Sequence, residues 1–115
     1  LPLLEASDAP VVVNVSSGLG SLAATNDPNR IEFHVPLLDY NSSKTALVMI
    51  TSQYAKAYPA IRVNAVDPGY TATDLNGHQG ASTVEQSADI IVRMATIDTD
   101  GPTGGFFDKT GPVVW

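Results

Sequence analysis

Two runs of mainly β-branched residues predict buried strands. The first covers about Val11 to Ser16 and the second covers Ile61 to Val66, and each ends in small, polar or turn-forming residues. Such a run is typical of a buried strand that delivers a loop at its carboxyl end. A shorter run from Thr103 to Asp108 predicts a third strand.

Helical periodicity fills the intervals between these strands. A pattern from about Leu38 to Tyr58 predicts a long helix that Pro59 ends, and a capping box over Ser82 to Glu85 predicts the start of a second helix. The apolar faces expected to be covered are formed by Ala46, Leu47, Ile50, Tyr54 and Ala57 in the first helix and by Val84, Ala88, Ile91, Val92 and Ala95 in the second. The alternation predicts an α/β fold with an open, mainly parallel sheet, in which ligands bind beyond the carboxyl ends of the strands.

Composition narrows the classes of function. The chain has 115 residues, of which 43% are apolar and 16% charged, and its net charge is -6, as in one globular domain or part of one. The scattered basic residues argue against nucleic-acid binding, and no apolar run is long enough to predict a membrane span. Cysteine is absent, and His34 and His78 stand far apart, so neither a disulfide nor a metal centre is expected. The amino-terminal residues do not resemble a signal peptide, and we expect a cytoplasmic protein.

The first predicted helix begins with a pair of residues that suits proton transfer. Tyr40 and Lys44 are four residues apart, so their side chains emerge on the same helix face. The lysine ammonium and the helix amino terminus both favour a phenolate, which suits Tyr40 to exchange a proton with a carbonyl or alcohol oxygen. An ordinary solvated helix face has the same spacing, so this pair alone does not decide the function.

Three linked segments make the interpretation more specific. They are Asn14-Val15-Ser16-Ser17 at the end of the first strand, Tyr40-x-x-x-Lys44 on the helix, and Arg62-Val63-Asn64 followed by Pro68-Gly69. In this order they resemble the short-chain dehydrogenase/reductase family, and Gly104-Gly105-Phe106-Phe107-Asp108 looks like that family's last sheet strand. The resemblance implies the carboxyl-terminal half of a Rossmann-type, doubly wound sheet, with about three strands and two long helices.

The resemblance also implies a role for each site residue. Tyr40 would donate a proton to a carbonyl oxygen, or remove it from an alcohol in reverse, while Ser17 rather than Ser16 would donate a hydrogen bond to the reacting oxygen. Lys44 would favour the phenolate and hydrogen-bond the nicotinamide ribose. Besides Tyr40 and Lys44, the cofactor-binding residues would be Pro68, Gly69, Thr71 and Thr73. Two alternatives remain open. Ser17 could only cap a strand end, and the loop after Pro68 could be an ordinary turn.

Two asparagines are expected to be structural. Asn14 and Asn64 lie within the predicted strands, where their side chains would satisfy backbone groups between neighbouring strands.

The glycines after the first strand need a separate interpretation. Gly18 and Gly20 formally satisfy a dinucleotide-binding pattern, but that pattern requires a helix to begin within the glycines, and a turn cluster follows at 26–30. We therefore interpret them as a sharp turn after Ser17.

The stretch over 24–39 looks like an insertion beside the active site. It is irregular, and Ile31, Phe33, Val35 and Leu37 alternate within it in a short extended pattern. It could bear on substrate choice, and an edge hairpin without substrate contact is equally open.

The resemblance covers only part of the family's fold. The glycine-rich first turn and the residues that choose between cofactors would precede residue 1, so 1–115 are expected to form a partial NAD(P)-binding domain that is inactive in isolation. Three interpretations follow: part of a larger reductase, which we favour, a non-catalytic binding or interaction module, or a truncated product.

The expected reaction is hydride transfer between a nicotinamide and a small-molecule carbonyl or alcohol. The long spacing between Ser17 and Tyr40 and the ending of the chain are similar to carbonyl-reductase-like members, so NADP(H) is favoured over NAD(H). Family members pair through the two long helices and the last strand, which implies a homo-oligomer, dimer or tetramer.

Overall fold

A computed structural model describes all 115 residues and contains one four-stranded sheet. Its strands are β1 (Val11–Val15), β2 (Arg62–Val66), β3 (Phe106–Asp108) and β4 (Gly111–Pro112), adjacent in that order. The pairs β1/β2 and β2/β3 are parallel, and β3/β4 is antiparallel. The predicted α/β fold with a mainly parallel sheet is confirmed.

Strand β4 is an addition to the three strands that the sequence predicts. The Asp108 side chain accepts hydrogen bonds from the backbone N–H groups of Thr110 and Gly111, at 2.7 Å and 3.1 Å. An aspartate that bonds the backbone two residues on favours a tight reversal. The chain therefore folds back and pairs with β3.

Four α-helices accompany the sheet. They are α1 (Pro2–Glu5), α2 (Leu22–Thr25), α3 (Leu38–Ala57) and α4 (Val84–Ala95). The bounds of α3 agree with the prediction to within one residue. The capping box of α4 lies one residue later than predicted, because Thr83 accepts from the backbone N–H of Gln86 and the Gln86 side chain accepts from that of Thr83.

The predicted apolar faces of the two long helices are wrong by about one residue. Helix α3 buries Val48, Thr51, Ser52 and Ala55, while Ile50 and Tyr54 are each 47% exposed. Thr51 can occupy this buried face because its hydroxyl is satisfied. It donates to the Leu47 carbonyl and accepts from Asn14.

The buried face of helix α4 is also shifted by about one residue from the prediction, and it also includes a polar residue whose hydroxyl is satisfied. It buries Ser87, Ile90 and Met94, whereas Val84 and Val92 are more than half exposed. The Ser87 hydroxyl is satisfied because it accepts a hydrogen bond from another side chain.

Strand β2 is the centre of the molecule, because the two helices cover its two faces. Ala65 packs with Val48 of α3, and Val66 packs with Ile90 and Met94 of α4. All five residues of β2 are buried. Strand β1 pairs with β2 on one side only, and its last residue, Val15, is 41% exposed.

The asparagines of the two strands differ in their contacts. Asn64 is fully buried, donates to the Pro102 carbonyl and accepts from the Gly105 backbone N–H, as predicted for a link between backbone segments. The prediction for Asn14 is wrong, because its amide donates instead to the hydroxyl of Thr51 and so joins β1 to α3.

The expected extended pattern at Ile31 to Leu37 is also wrong. Ile31–His34 form a 3-10 helix, and Asn41 of α3 secures the following residues by donating through its side chain to the Val35 carbonyl and through its backbone to the Leu37 carbonyl. Turn-like local hydrogen bonds replace strand pairing there.

Candidate active site

A cavity of about 610 Å³ lies beside the carboxyl ends of β1 and β2. Three parts of the chain expected at this edge form much of its wall: the segment after β1, the start of α3 and the segment after β2. The lining residues from these parts are Ser17, Gly18, Leu19, Tyr40, Asp67, Gly69 and Tyr70. The parallel register of β1 and β2, which pairs Val15 with Val66, brings the two segments to the same edge.

The two serines that follow β1 have different surroundings. Ser16 is buried, and its hydroxyl donates a 3.1 Å hydrogen bond to the Lys44 carbonyl of α3. Ser17 lines the cavity, and its hydroxyl oxygen accepts a 3.2 Å hydrogen bond from the Leu19 backbone N–H. Ser17 therefore caps the 3-10 helix at Gly18–Gly20 and also faces the cavity.

Tyr40 and Lys44 lie close together near the start of α3. The Lys44 ammonium is 5.6 Å from the centre of the Tyr40 ring, and it donates a 3.0 Å hydrogen bond to the Val15 carbonyl. Tyr40 is 41% exposed and lines the cavity, whereas Lys44 does not reach the lining. The same-face arrangement expected from their spacing is therefore present.

The glycine turn after Ser17 serves packing against α3. A Cβ at Gly20 would lie 2.9 Å from the backbone carbonyl group of Lys44, so only glycine allows this approach. The helix that follows, α2, has four residues and begins after the glycines, at Leu22. The glycines therefore form a tight turn after Ser17, as the sequence predicts.

Only part of the loop after β2 lines the cavity. Gly69 lines it with a φ of +81°, and its N–H donates to Asp67. Pro68, Thr71 and Thr73 do not line it, and the Thr71 hydroxyl donates a 2.6 Å hydrogen bond to Ser87 of α4. Their assignment to a cofactor remains a prediction.

The segment over 24–39 forms another part of the cavity wall. Its contributions to the lining are Ile31, Glu32, Val35 and Leu37. The segment therefore contacts the cavity, and its role in substrate choice stays a prediction. Three of these residues, Ile31, Val35 and Leu37, belong to the alternating apolar pattern of the segment, whereas no sequence signal distinguishes Glu32 from its neighbours. Asp67 was also missed, although it follows β2 directly and occupies a strand-end position where site residues concentrate.

Glu32 is held by a neighbour in the same segment. Arg30 donates two hydrogen bonds to its carboxylate, at 2.9 Å and 3.2 Å. These hydrogen bonds lower the pKa of Glu32 and raise that of Arg30. Glu32 therefore stays ionised at neutral pH.

The structure contains neither a metal-binding cluster nor a membrane-spanning helix. No three side chains of His, Cys, Asp or Glu gather in a group that could hold a metal ion. None of the helices combines the length and the apolar character that crossing a membrane requires.

Two plant reductases are similar in sequence to almost the whole of this chain. The (-)-isopiperitenone reductase of Mentha piperita is 32% identical over 95% of this chain, and the salutaridine reductase of Papaver bracteatum is 32% identical over 94%. In each case the match covers 45% of the relative, so the chain spans about half the length of the curated relatives it matches.

Solved structures of reductases also resemble this chain. The salutaridine reductase of Papaver somniferum superposes with a TM-score of 0.77 and 32% identity, covering 92% of this chain and 47% of that one. An NADPH-bound carbonyl reductase from chicken fatty liver superposes with a TM-score of 0.73 and 25% identity, covering 91% and 42%. The profile of the family described as short chain dehydrogenase matches residues 1–83. This match spans most of the chain and includes all three motif segments, and the chain belongs to the short-chain dehydrogenase family.

Proposed function

We propose that this chain supplies the acid/base part of an NAD(P)-dependent oxidoreductase that reduces a carbonyl group in a small molecule. The observation that carries the proposal is the arrangement of three side chains. Ser17 and Tyr40 line one cavity, and the Lys44 ammonium lies 5.6 Å from the Tyr40 ring. The reductases among its relatives support the same reaction class.

In this proposal Tyr40 is the proton donor. Its phenol is exposed to the cavity, so it can meet a carbonyl oxygen there, and the nearby ammonium stabilises the phenolate that remains after transfer. The Ser17 hydroxyl oxygen already accepts from Leu19, which leaves its own hydrogen free to donate. That hydrogen would stabilise the charge that develops on the reacting oxygen.

A nicotinamide cofactor would supply the hydride. Lys44 uses one of its three N–H donors on Val15, so two remain for a ribose hydroxyl, and Gly69 exposes backbone at the cavity. These residues fit the nicotinamide end, whereas the Gly18 to Gly20 turn offers no pyrophosphate site. We propose that 1–115 form the carboxyl-terminal part of an NAD(P)-binding domain. NADP(H) is favoured because one similar structure is described as NADPH-bound.

The exposed apolar residues support a homo-oligomer. Helix α3 exposes Met49, Ile50 and Tyr54, and α4 exposes Val84 and Val92. A second copy that packs along these helices would bury them, which favours a dimer or tetramer. Sedimentation that shows only monomer at tens of micromolar would contradict this.

The test of the proposed function needs a protein in which these residues complete a dinucleotide-binding fold. Oxidation of NADPH would be followed with a panel of ketones, and NADH would be compared with each. Ketone-dependent oxidation that yields the alcohol is expected. Binding of NADPH without turnover of any ketone would instead indicate a non-catalytic module.

A further inference from the structure

Two carboxylates converge in the wall of the cavity, beside Gly18. A Cβ at Gly18 would lie 2.9 Å from Oδ2 of Asp67 and 3.0 Å from Oε1 of Glu32, and both carboxylate residues line the cavity. Asp67 follows β2, whereas Glu32 belongs to the segment over 24–39. The fold therefore joins two charges that are distant in sequence.

Only one of these charges is compensated by a cation. The Glu32 carboxylate is paired with the Arg30 guanidinium. Asp67 forms no ion pair, and its Oδ1 accepts a 2.9 Å hydrogen bond from the Gly69 N–H. The lining contains no lysine or arginine, because Lys44 is turned to the Val15 carbonyl. The cavity therefore carries an excess negative charge at Asp67.

The rest of the wall is largely apolar. Leu19, Ile31, Val35 and Leu37 line it, and its volume of about 610 Å³ lies within the range of small-molecule sites. A ligand in this space contacts mainly hydrocarbon. A charged group on the ligand then loses part of its hydration, so its interaction with Asp67 is screened less than in open solvent.

We propose, building on the proposed function, that the substrate is a bulky, mainly apolar carbonyl compound bearing a cationic amine, and that Asp67 determines this specificity. The Asp67 carboxylate attracts an ammonium group and repels a carboxylate group on an otherwise equal ligand. Keto acids are thereby disfavoured. Glu32 contributes to the field, and Arg30 offsets much of its charge.

The experiment uses three aryl ketones of the same skeleton, with a methyl, an aminomethyl or a carboxylate substituent on the ring. Their binding to the protein with a completed fold is measured by saturation-transfer NMR and competition, and kcat/KM is measured in parallel. We expect the aminomethyl ketone to bind roughly tenfold tighter than the carboxylate ketone or better. Asp67→Asn should remove most of this difference, because an asparagine still accepts from Gly69 but carries no charge.

Two further variants make the result specific. Asp100→Asn changes the net charge equally at an exposed turn away from the cavity and should leave the preference unchanged. Glu32→Gln leaves Arg30 unpaired and should also reduce the preference for the cation. Equal binding of the three ketones, binding of none of them, or an unchanged preference in Asp67→Asn would overturn the proposal. Charge-selective binding without turnover would refute only the proposed function.

Discussion

The Lys44 ammonium donates a 3.0 Å hydrogen bond to the carbonyl oxygen of Val15, the last residue of β1. The Ser16 hydroxyl also donates to the Lys44 carbonyl. Lys44 therefore ties the start of α3 to the end of β1 through both its side chain and its backbone. The contact fixes the ammonium 5.6 Å from the Tyr40 ring. The helix that carries the proposed acid is therefore positioned by the strand that leads into the proposed hydrogen-bond donor, Ser17.

Replacement of Tyr40 by phenylalanine tests the proposed acid. Tyr40→Phe removes the transferable proton and little of the shape, so kcat for ketone reduction should fall by ~10²–10⁴-fold while NADPH binding stays largely unchanged. Steady-state kinetics and a cofactor titration measure the two effects. Tyr54→Phe, at an exposed position later in α3, is the matched control and should retain activity. Full turnover in Tyr40→Phe would remove the proposed mechanism.

The two serines after β1 should separate activity from stability. Ser17→Ala should lower kcat, because Ser17 faces the cavity, and should lower the free energy of unfolding only through the loss of its cap on the short 3-10 helix. Ser16→Ala should lower the free energy of unfolding by about 1 kcal/mol, because it removes the hydrogen bond that the buried Ser16 hydroxyl donates to the Lys44 carbonyl. Kinetics and denaturant unfolding of both variants measure this. The reverse assignment of effects would show that Ser16 is the site residue.

Alanine at the two neighbouring glycines should differ in effect. Gly20→Ala places a methyl group 2.9 Å from the Lys44 backbone, which cannot move without α3, and should destabilise by ~1–3 kcal/mol. Gly18→Ala meets the ends of the Asp67 and Glu32 side chains, which can rotate away, so its effect should be smaller. Thermal or denaturant unfolding ranks the two variants. A larger loss in Gly18→Ala would contradict the packing role of Gly20.

The ion pair of Arg30 and Glu32 should give a pH-dependent contribution to stability. Hydrogen bonds from Arg30 lower the pKa of Glu32 below its ordinary value of 4.5, so the contribution is complete above that pH and is lost as the pH falls through the lowered pKa. Because Arg30 is half exposed, the expected size is about 0.5 kcal/mol.

Unfolding of the parent protein and Glu32→Gln should be compared at about pH 7 and about pH 3. The difference in free energy between them is expected at the higher pH and should shrink at the lower one. A difference that is equal at both values would show that the side chain acts through packing rather than through charge.

The sequence by itself determined the features that depend on neighbours along the chain. The β-branched runs located β1 and β2, and helical periodicity located α3 and α4, because each pattern is a property of a few consecutive residues. The shared face of Tyr40 and Lys44 follows from the helix repeat alone. The motif order was likewise sufficient to identify the family.

Only the tertiary structure decided which surfaces meet. Helix α3 buries Thr51 because the Asn14 amide approaches it from β1, and no periodicity in α3 contains that information. Glu32 and Asp67 converge beside Gly18 because β1 and β2 pair in register and because Asn41 secures the residues that follow Glu32. Contacts between residues distant in sequence depend on the whole packing arrangement, which local propensity does not specify.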